Sequence, residues 1–320
     1  WLFALITLQT GEGYGGAGNH GIARMNGGSS SRPMLTLAPL SGAGERGMAP
    51  RPGAWFRRDV RVLLDTRDQV LEKSNIDYPV SGGVGLTWLT PWLEGNQLRT
   101  RDLDIWFVEI CRRVRLGMRD GVLRGLKGTS QATRIDAKQL NGAVDDPWAP
   151  VQRAENKSLT LGSSNFDYRR LTELLFSGNW NRPILAELAN VDVQRETLAV
   201  VAAALSRGNS KTEGFKSRIL PLSGKVARAL GPRRAELHQL AQAQLDTITA
   251  FDKSLRDALV LAAARGEREK IKKELYEHTN AARAHLDRYA DEIFFEHLWK
   301  RFEAQDAGPE ALQTEEKAFA

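Results

Sequence analysis

Apolar positions are spaced differently in the two ends of this chain. Toward the C-terminus, Leu237, Leu240, Leu245, Ile248, Leu255 and Leu259 recur as a helical stripe that stops at Gly266. Leu275, Ala282, Leu286, Tyr289 and Ile293 then share a face over residues 267–302. Pro232 stands where the first turn of a helix tolerates proline. Two such helices joined by a short Arg-Gly-Glu turn form an antiparallel hairpin. With a preceding segment at 214–230 they predict an up-and-down bundle. The tail beyond Asp306 reads as frayed. The domain boundary falls near Leu220, giving regions 1–220 and 221–320.

Before that boundary the apolar runs are short and separated by turn residues. Residues 33–40 read as a strand ending at Pro39. Residues 55–72 mix basic and apolar positions, with Val60, Val62, Leu63 and Leu64 packing while Arg57, Arg58, Arg61 and Arg67 stay solvated. Residues 86–92 read as a strand plus loop. Residues 103–116 form a buried helix or strand, between which periodicity does not choose. Polar loops dominate 127–161, with turns at Asn141-Gly142 and at Asp145-Asp146 ahead of Pro147. Residues 171–176 and 184–188 look helical, 196–205 ends in an alanine-rich run, and 206–215 is a polar loop or helix start.

Composition narrows the class. The chain has 320 residues, enough for two cored domains, and a formal net charge of +6, which favours an anionic partner. One cysteine, Cys111, excludes an internal disulfide framework and any zinc site built from several cysteines; it reads as core in a reducing, cytoplasmic setting. The chain opens at Trp1 inside an apolar run of about eight residues, short of the roughly 20 that a membrane span needs. No basic n-region precedes that run, so it reads as an internal element of a longer, non-membrane protein.

The densest local signal is residues 10–33, with eight glycines between Gly11 and Gly28. Such density suits a loop whose backbone lies against a ligand with no Cβ in the way. Gly13-Tyr14-Gly15-Gly16-Ala17-Gly18 satisfies GxGxxG, but the chain runs on into Met25-Asn26-Gly27-Gly28 and serines instead of an amphipathic helix. A nucleotide-dependent enzyme therefore stands only as an alternative. Ser210-Lys211-Thr212 lacks the glycines of a P-loop. His278 and His285 sit about 10 Å apart on one helical face, too far to grip one metal ion. No nucleophile, base and orienter can be assembled, so an enzyme is not expected.

Basic clusters carry more. Arg112, Arg113, Arg115, Arg119, Arg124, Lys127 and Arg134 face Asp120 alone. A second cluster holds Arg207, Lys211, Lys216, Arg218, Lys225, Arg228, Arg233 and Arg234, with Glu213 and Glu236 against it. Two such clusters beside a glycine loop point to nucleic acid, with phosphates as the target. A basic helical interaction protein whose charge only keeps it soluble is the other alternative.

Several blocks resemble, in order, the CasA family, the large subunit of the type I-E CRISPR surveillance complex Cascade. They are Gly13 to Gly16 with Arg24 to Gly28, Trp88-Leu89-Thr90-Pro91-Trp92, and residues 107–116, 142–150 and 207–214, with the helical C-terminal region. The resemblance implies an α+β chain, a mixed α/β N-terminal domain (incomplete here) followed by a four-helix bundle, in a non-catalytic subunit. It implies double-stranded DNA, other Cascade subunits with CRISPR RNA, and a recruited helicase-nuclease as partners. Recognition of the protospacer-adjacent motif (PAM) from the minor groove would use the glycine loop Gly13, Tyr14, Gly15 and Gly16. A wedge would fall at Asn209, Ser210 and Lys211, where a glutamine is expected in the family, and a basic finger at Arg134 or Lys138. The basic face Arg207, Arg218, Arg228, Arg233 and Arg234 would hold the DNA backbone.

Overall fold

The computed structural model of the protein describes residues 23–24, 33–40, 49–109, 113–128, 132–193, 197–208 and 211–319. In chain order these form strand β1 (Met34–Pro39), helix α1 (Pro52–Lys73), β2 (Val84–Leu86), β3 (Leu103–Val108), β4 (Arg113–Arg119), β5 (Val122–Gly128), β6 (Val151–Gln152) and β7 (Lys157–Ser158). Helix α2 (Tyr168–Phe176), β8 (Trp180–Asn181), β9 (Thr197–Gly208), β10 (Lys211–Ser223), α3 (Gly224–Ala229), α4 (Arg234–Ala263), α5 (Asn280–Gln305) and α6 (Pro309–Phe319) follow. The chain is α+β with a helical C-terminal region. It divides into two units, one holding the described residues up to Phe166 with Asn179–Pro221, the other Asp167–Gly178 with Leu222–Ala320.

In the first unit a three-stranded sheet runs in the order β1-β9-β10, with β1 antiparallel to β9 from Met34↔Ala203 to Pro39↔Leu198. Leu35, Leu37 and Ala38 of β1 and Leu198 to Ala202 of β9 are buried. β1 matches its expectation. The alanine-rich run toward Leu205 carries no strand signal in the sequence yet lies in β9, because a strand covered on both faces loses the apolar-polar alternation that marks strands. Ladder pairing there outweighs the helix preference of its alanines. The segment 206–230 is likewise the end of β9, β10 and the short α3, and not a long helix.

Residues 103–116 resolve as β3 followed by β4. β3 alternates buried and half-buried positions and pairs in parallel with β2. Leu103, Ile105 and Phe107 form a core with Tyr78, Ile135, Ala137 and Val144. The strand expected at 86–92 stops at Leu86 and becomes a 3-10 turn, Thr87–Leu89. The loops of 132–161 are irregular but bury Val144, Leu159 and Leu161. At Asp145-Asp146 the expected turn is present: Asp145 is left-handed at φ 51, and the Asp146 carboxylate accepts from the N–H of Trp148 at 2.9 Å.

Helix α1 turns a different face inward from the one expected. Arg58 is 1% exposed while Leu64 is 71% exposed. The Arg58 guanidinium donates to Asp192 at 2.8 Å, to Asp59 at 3.1 Å and to the carbonyls of Leu185 and Glu187 at 2.9 and 3.0 Å. With its donors engaged by carboxylates and carbonyls, a guanidinium can be buried, and no local pattern announces partners so distant in sequence.

The second unit packs four helices, α2, α4, α5 and α6, with α3 against α5. The Asp167 side chain caps α2, accepting from the Arg170 N–H at 2.8 Å. Tyr168 then donates its backbone N–H to Asp291 at 2.7 Å and its hydroxyl to Asp287 at 2.8 Å, both on α5. Helix α4 ends as expected near Gly266, where Arg265 and Gly266 both take positive φ. Residues 267–279 form 3-10 turns, so α5 starts only at Asn280. The tail expected to fray is helix α6, tied to α5 by Arg301 donating to Glu316 at 3.0 Å.

Candidate nucleic-acid interface

Gly13, Tyr14, Gly15, Gly16, Asn209 and Ser210 lie outside the described residues. The described residues nearest to them in sequence are Ala23 and Arg24 beyond the glycine loop, and Gly208 and Lys211 on either side of Asn209 and Ser210. Ala23 and Arg24, just past the glycine loop in sequence, are buried. Their backbone N–H groups donate to the Glu109 carboxylate at 2.8 and 2.7 Å. The Arg24 side chain donates to the carbonyls of Phe107 and Ile105 at 3.0 and 2.9 Å, and its guanidinium lies 3.9 Å from the Phe107 ring centroid. Its Nη1 sits 3.6 Å from Asp146.

The wedge positions fall between two long strands. β9 pairs with β1 only as far as Ala203, so residues 204–208 continue past the end of β1 with β10 as neighbour. Arg207 lies near the end of β9 and Lys211 opens β10. The pair is braced from the side. Ser206 donates its hydroxyl to the Leu161 carbonyl at 2.6 Å and also lies against the Gly162 carbonyl. Lys216 donates to the carbonyls of Gly162, Ser163 and Ser164 at 3.0, 2.6 and 2.6 Å.

The two finger candidates separate clearly. Arg134 is 1% exposed and donates to the carbonyls of Thr87, Thr90 and Pro91 at 3.1, 2.7 and 3.4 Å. Its guanidinium also stacks on Trp92 at 5.6 Å, and burial pulls its pKa below the ordinary arginine value. Arg134 therefore braces the core and does not stand free as a finger. Lys138, four residues on, is exposed at the start of the 3-10 turn Lys138–Leu140, which ends at a left-handed Asn141.

The expected basic face is divided between the two units, Arg207 and Arg218 in the first and Arg228, Arg233 and Arg234 in the second. Arg228 is exposed, and Arg218 and Arg234 are half-buried. Arg233 is already engaged: it donates to Glu236 and Asp306 at 2.7 and 2.9 Å and lies over Phe302 at 4.5 Å. Arg233 and Lys225 hold the Asp306 carboxyl down at about 2. A phosphate would have to displace both carboxylates from Arg233, which its sequence surroundings did not reveal.

Geometry also singles out residues that the pattern left inside a cluster. β4 and β5 pair antiparallel from Arg113↔Gly128 to Arg119↔Val122, and residues 115–126 are all exposed. Arg115, Arg119 and Arg124 belong to this ribbon. Among the described residues no group of three acidic, histidine or cysteine side chains could hold a metal ion, and no helix is long and apolar enough to cross a membrane.

No family model matches the chain, and no curated protein sequence does. Solved structures do. The fold is similar to that of CRISPR-associated protein Cse1 from Acidimicrobium ferrooxidans, at 15% identity and TM-score 0.46, over 84% of this chain and 53% of that one. It is similar to CasA from Thermus thermophilus at 12% identity and TM-score 0.43, over 93% of this chain and 60% of that one. A second Thermus thermophilus structure, of CasA (Cse1), matches at 15% identity and TM-score 0.34, over 90% of this chain and 63% of that one. These structural neighbours are CasA/Cse1 proteins. The residue blocks resemble the same family, and the chain spans 53–63% of the length of those structures.

Proposed function

We propose that this chain is the DNA-reading part of a CasA-type large subunit of a CRISPR Cascade complex. It is non-catalytic and cytoplasmic, and works with other Cascade subunits and their CRISPR RNA. The observation that carries the reading is the continuation of β9 beyond its pairing with β1, because Asn209, Ser210 and Lys211, where β9 gives way to β10, are the residues the family resemblance assigns to the wedge. Two strands braced by Ser206 and Lys216 are a stiff mount for a group that must push between base pairs. Unstacking one step costs a few kcal/mol, which a loose loop transmits poorly.

In this reading Gly13 to Gly16 approach the minor groove, where side chains would obstruct. Asn209, Ser210 and Lys211 hold the duplex open, and Lys138 serves as the finger in place of Arg134. Arg207, Arg218, Arg228 and Arg234 meet phosphates, while the guide RNA supplies most sequence specificity. The helical unit is the natural platform for recruiting a helicase-nuclease.

The test is duplex binding by Cascade reconstituted with this chain as its large subunit, with and without a PAM, at two salt concentrations. PAM-dependent binding abolished by Gly16→Asp is the expected result. PAM-blind binding of unchanged affinity in the variant would overturn the reading.

A further inference from the structure

The β4–β5 ribbon carries part of the first basic cluster but has no part in the PAM-reading assignments above, and its two faces differ. Asp120 and Gly121, with φ of 55° and 73°, make the two-residue turn that suits a right-twisted hairpin. Opposed residues share a face, and neighbours along a strand alternate. The register therefore puts Arg115, Gly117 and Arg119 on one face with Leu126, Arg124 and Val122 opposite them. Leu116, Met118 and Leu123 fall on the other face, 66%, 68% and 63% exposed.

We propose that the arginine face of this ribbon seats the phosphate backbone along a groove of double-stranded DNA. The proposal rests on the DNA-binding role proposed above and adds a contact surface to it. Charge complementarity names the occupant: three arginines stand against Asp120 alone, at the tip and 3.9 Å from Arg119. Guanidinium forks match phosphate oxygens in geometry as well as charge. Arg115 and Arg119 are four strand residues apart, about 13 Å. That is close to the roughly 12 Å of a major groove, which admits a two-stranded ribbon.

Gly117 supplies a second, independent argument. It lies between Arg115 and Arg119 and directly opposite Arg124. A Cβ added there would meet nothing within 4 Å, and its backbone is not in the left-handed region. Neither packing nor conformation requires glycine at this position, and glycine weakens a strand interior. Close approach of another backbone is one setting in which a strand keeps such a glycine, and a DNA backbone on this face would supply it. The three arginines surround the gap it leaves.

The test uses anisotropy of a labelled duplex with the 320-residue chain, with and without a PAM, from 50 to 200 mM salt. Replacing Arg115, Arg119 and Arg124 together by Gln should weaken binding on the order of 100-fold. It should also flatten the salt slope by about 2.7, equally for both duplexes. Replacing all three by Lys should keep most of the slope. Gly117→Val should leave the melting temperature unchanged or higher yet weaken binding several-fold. A glutamine triple variant with wild-type affinity and slope, in a chain that still binds duplex, would overturn the ribbon proposal and leave the wider reading standing. A larger loss on single strands than on duplex would also overturn it, and so would loss of binding only on replacing Leu116, Met118 and Leu123 by Ser. A wild-type chain that binds no duplex would take down both.

Discussion

Arg24 and Glu109 are clasped in the core of the first unit, the Arg24 N–H donating to the Glu109 carboxylate at 2.7 Å across 85 positions of chain. Ala23 donates to the other carboxylate oxygen. The Arg24 side chain meanwhile reaches back along β3 to the carbonyls of Phe107 and Ile105. This clasp ties Ala23 and Arg24, within the glycine-rich segment, to the end of β3.

Glu109→Gln should destabilise the protein by about 2 kcal/mol, because one of the two buried N–H groups would then face an amide donor. Arg24→Ala should cost about 3 kcal/mol, since it strips a paired group from buried carbonyls and from Asp146. Urea unfolding of both variants checks this. Wild-type midpoints would count against the clasp.

Asp59 predicts a pH dependence. Burial pushes its carboxyl up from 3.8 to about 6, against the lowering pull of Arg58 and of a hydrogen bond from Trp148. The folded state thus holds this proton more tightly than the unfolded chain. Its contribution to stability is fully present below about pH 4 and is lost as pH rises toward 6. Asp59→Asn should remove that decline, so that variant and wild type differ most above pH 6. Denaturant midpoints between pH 4 and 7 measure it, and parallel curves would refute it.

Gly83 is required by space. A Cβ there would sit 2.5 Å from the Asp104 nitrogen and 2.6 Å from the Leu103 carbonyl carbon, both backbone atoms of the neighbouring strand. Gly83→Ala should cost about 2–3 kcal/mol as β2 is pushed from β3. Gly85→Ala, with nothing within 4 Å, should cost little by comparison. Thermal unfolding of the pair is the check, and equal losses would argue against the contact.

Arg134 and Lys138 should part company. Arg134→Ala leaves three carbonyls without their donor and should lower stability by about 2–3 kcal/mol. Lys138→Ala should leave the melting temperature within a degree or two while weakening duplex binding. Measuring both properties on both variants tests the assignment, and it fails if Arg134→Ala alone weakens binding in a stably folded protein.

Strand β1, the stop of α4 at Gly266 and the Asp145-Asp146 turn were legible because each is written in local chemistry. β9 was not, since a doubly covered strand and a buried helix both read as unbroken apolar sequence. Arg58 and Arg134 were misread for a related reason. A basic residue looks solvated until its acceptors are known, and those of Arg58 include Asp192 on a distant loop. At the candidate site the pattern found the clusters of charge. The register of β4 with β5 was needed to put Arg115, Arg119 and Arg124 on one face and Leu116, Met118 and Leu123 on the other.

Helix α2 belongs to the helical unit yet precedes β8 to β10 in the chain, so the polypeptide passes between units three times, after Phe166, Gly178 and Pro221. A fragment begun at Leu222 would leave Asp287 and Asp291 without the tyrosine they hold. As the chain leaves the ribosome, Tyr168 must wait for a carboxylate made 119 residues later. The helical unit is thus stitched through the first one in sequence, and no single cut in the chain separates the two.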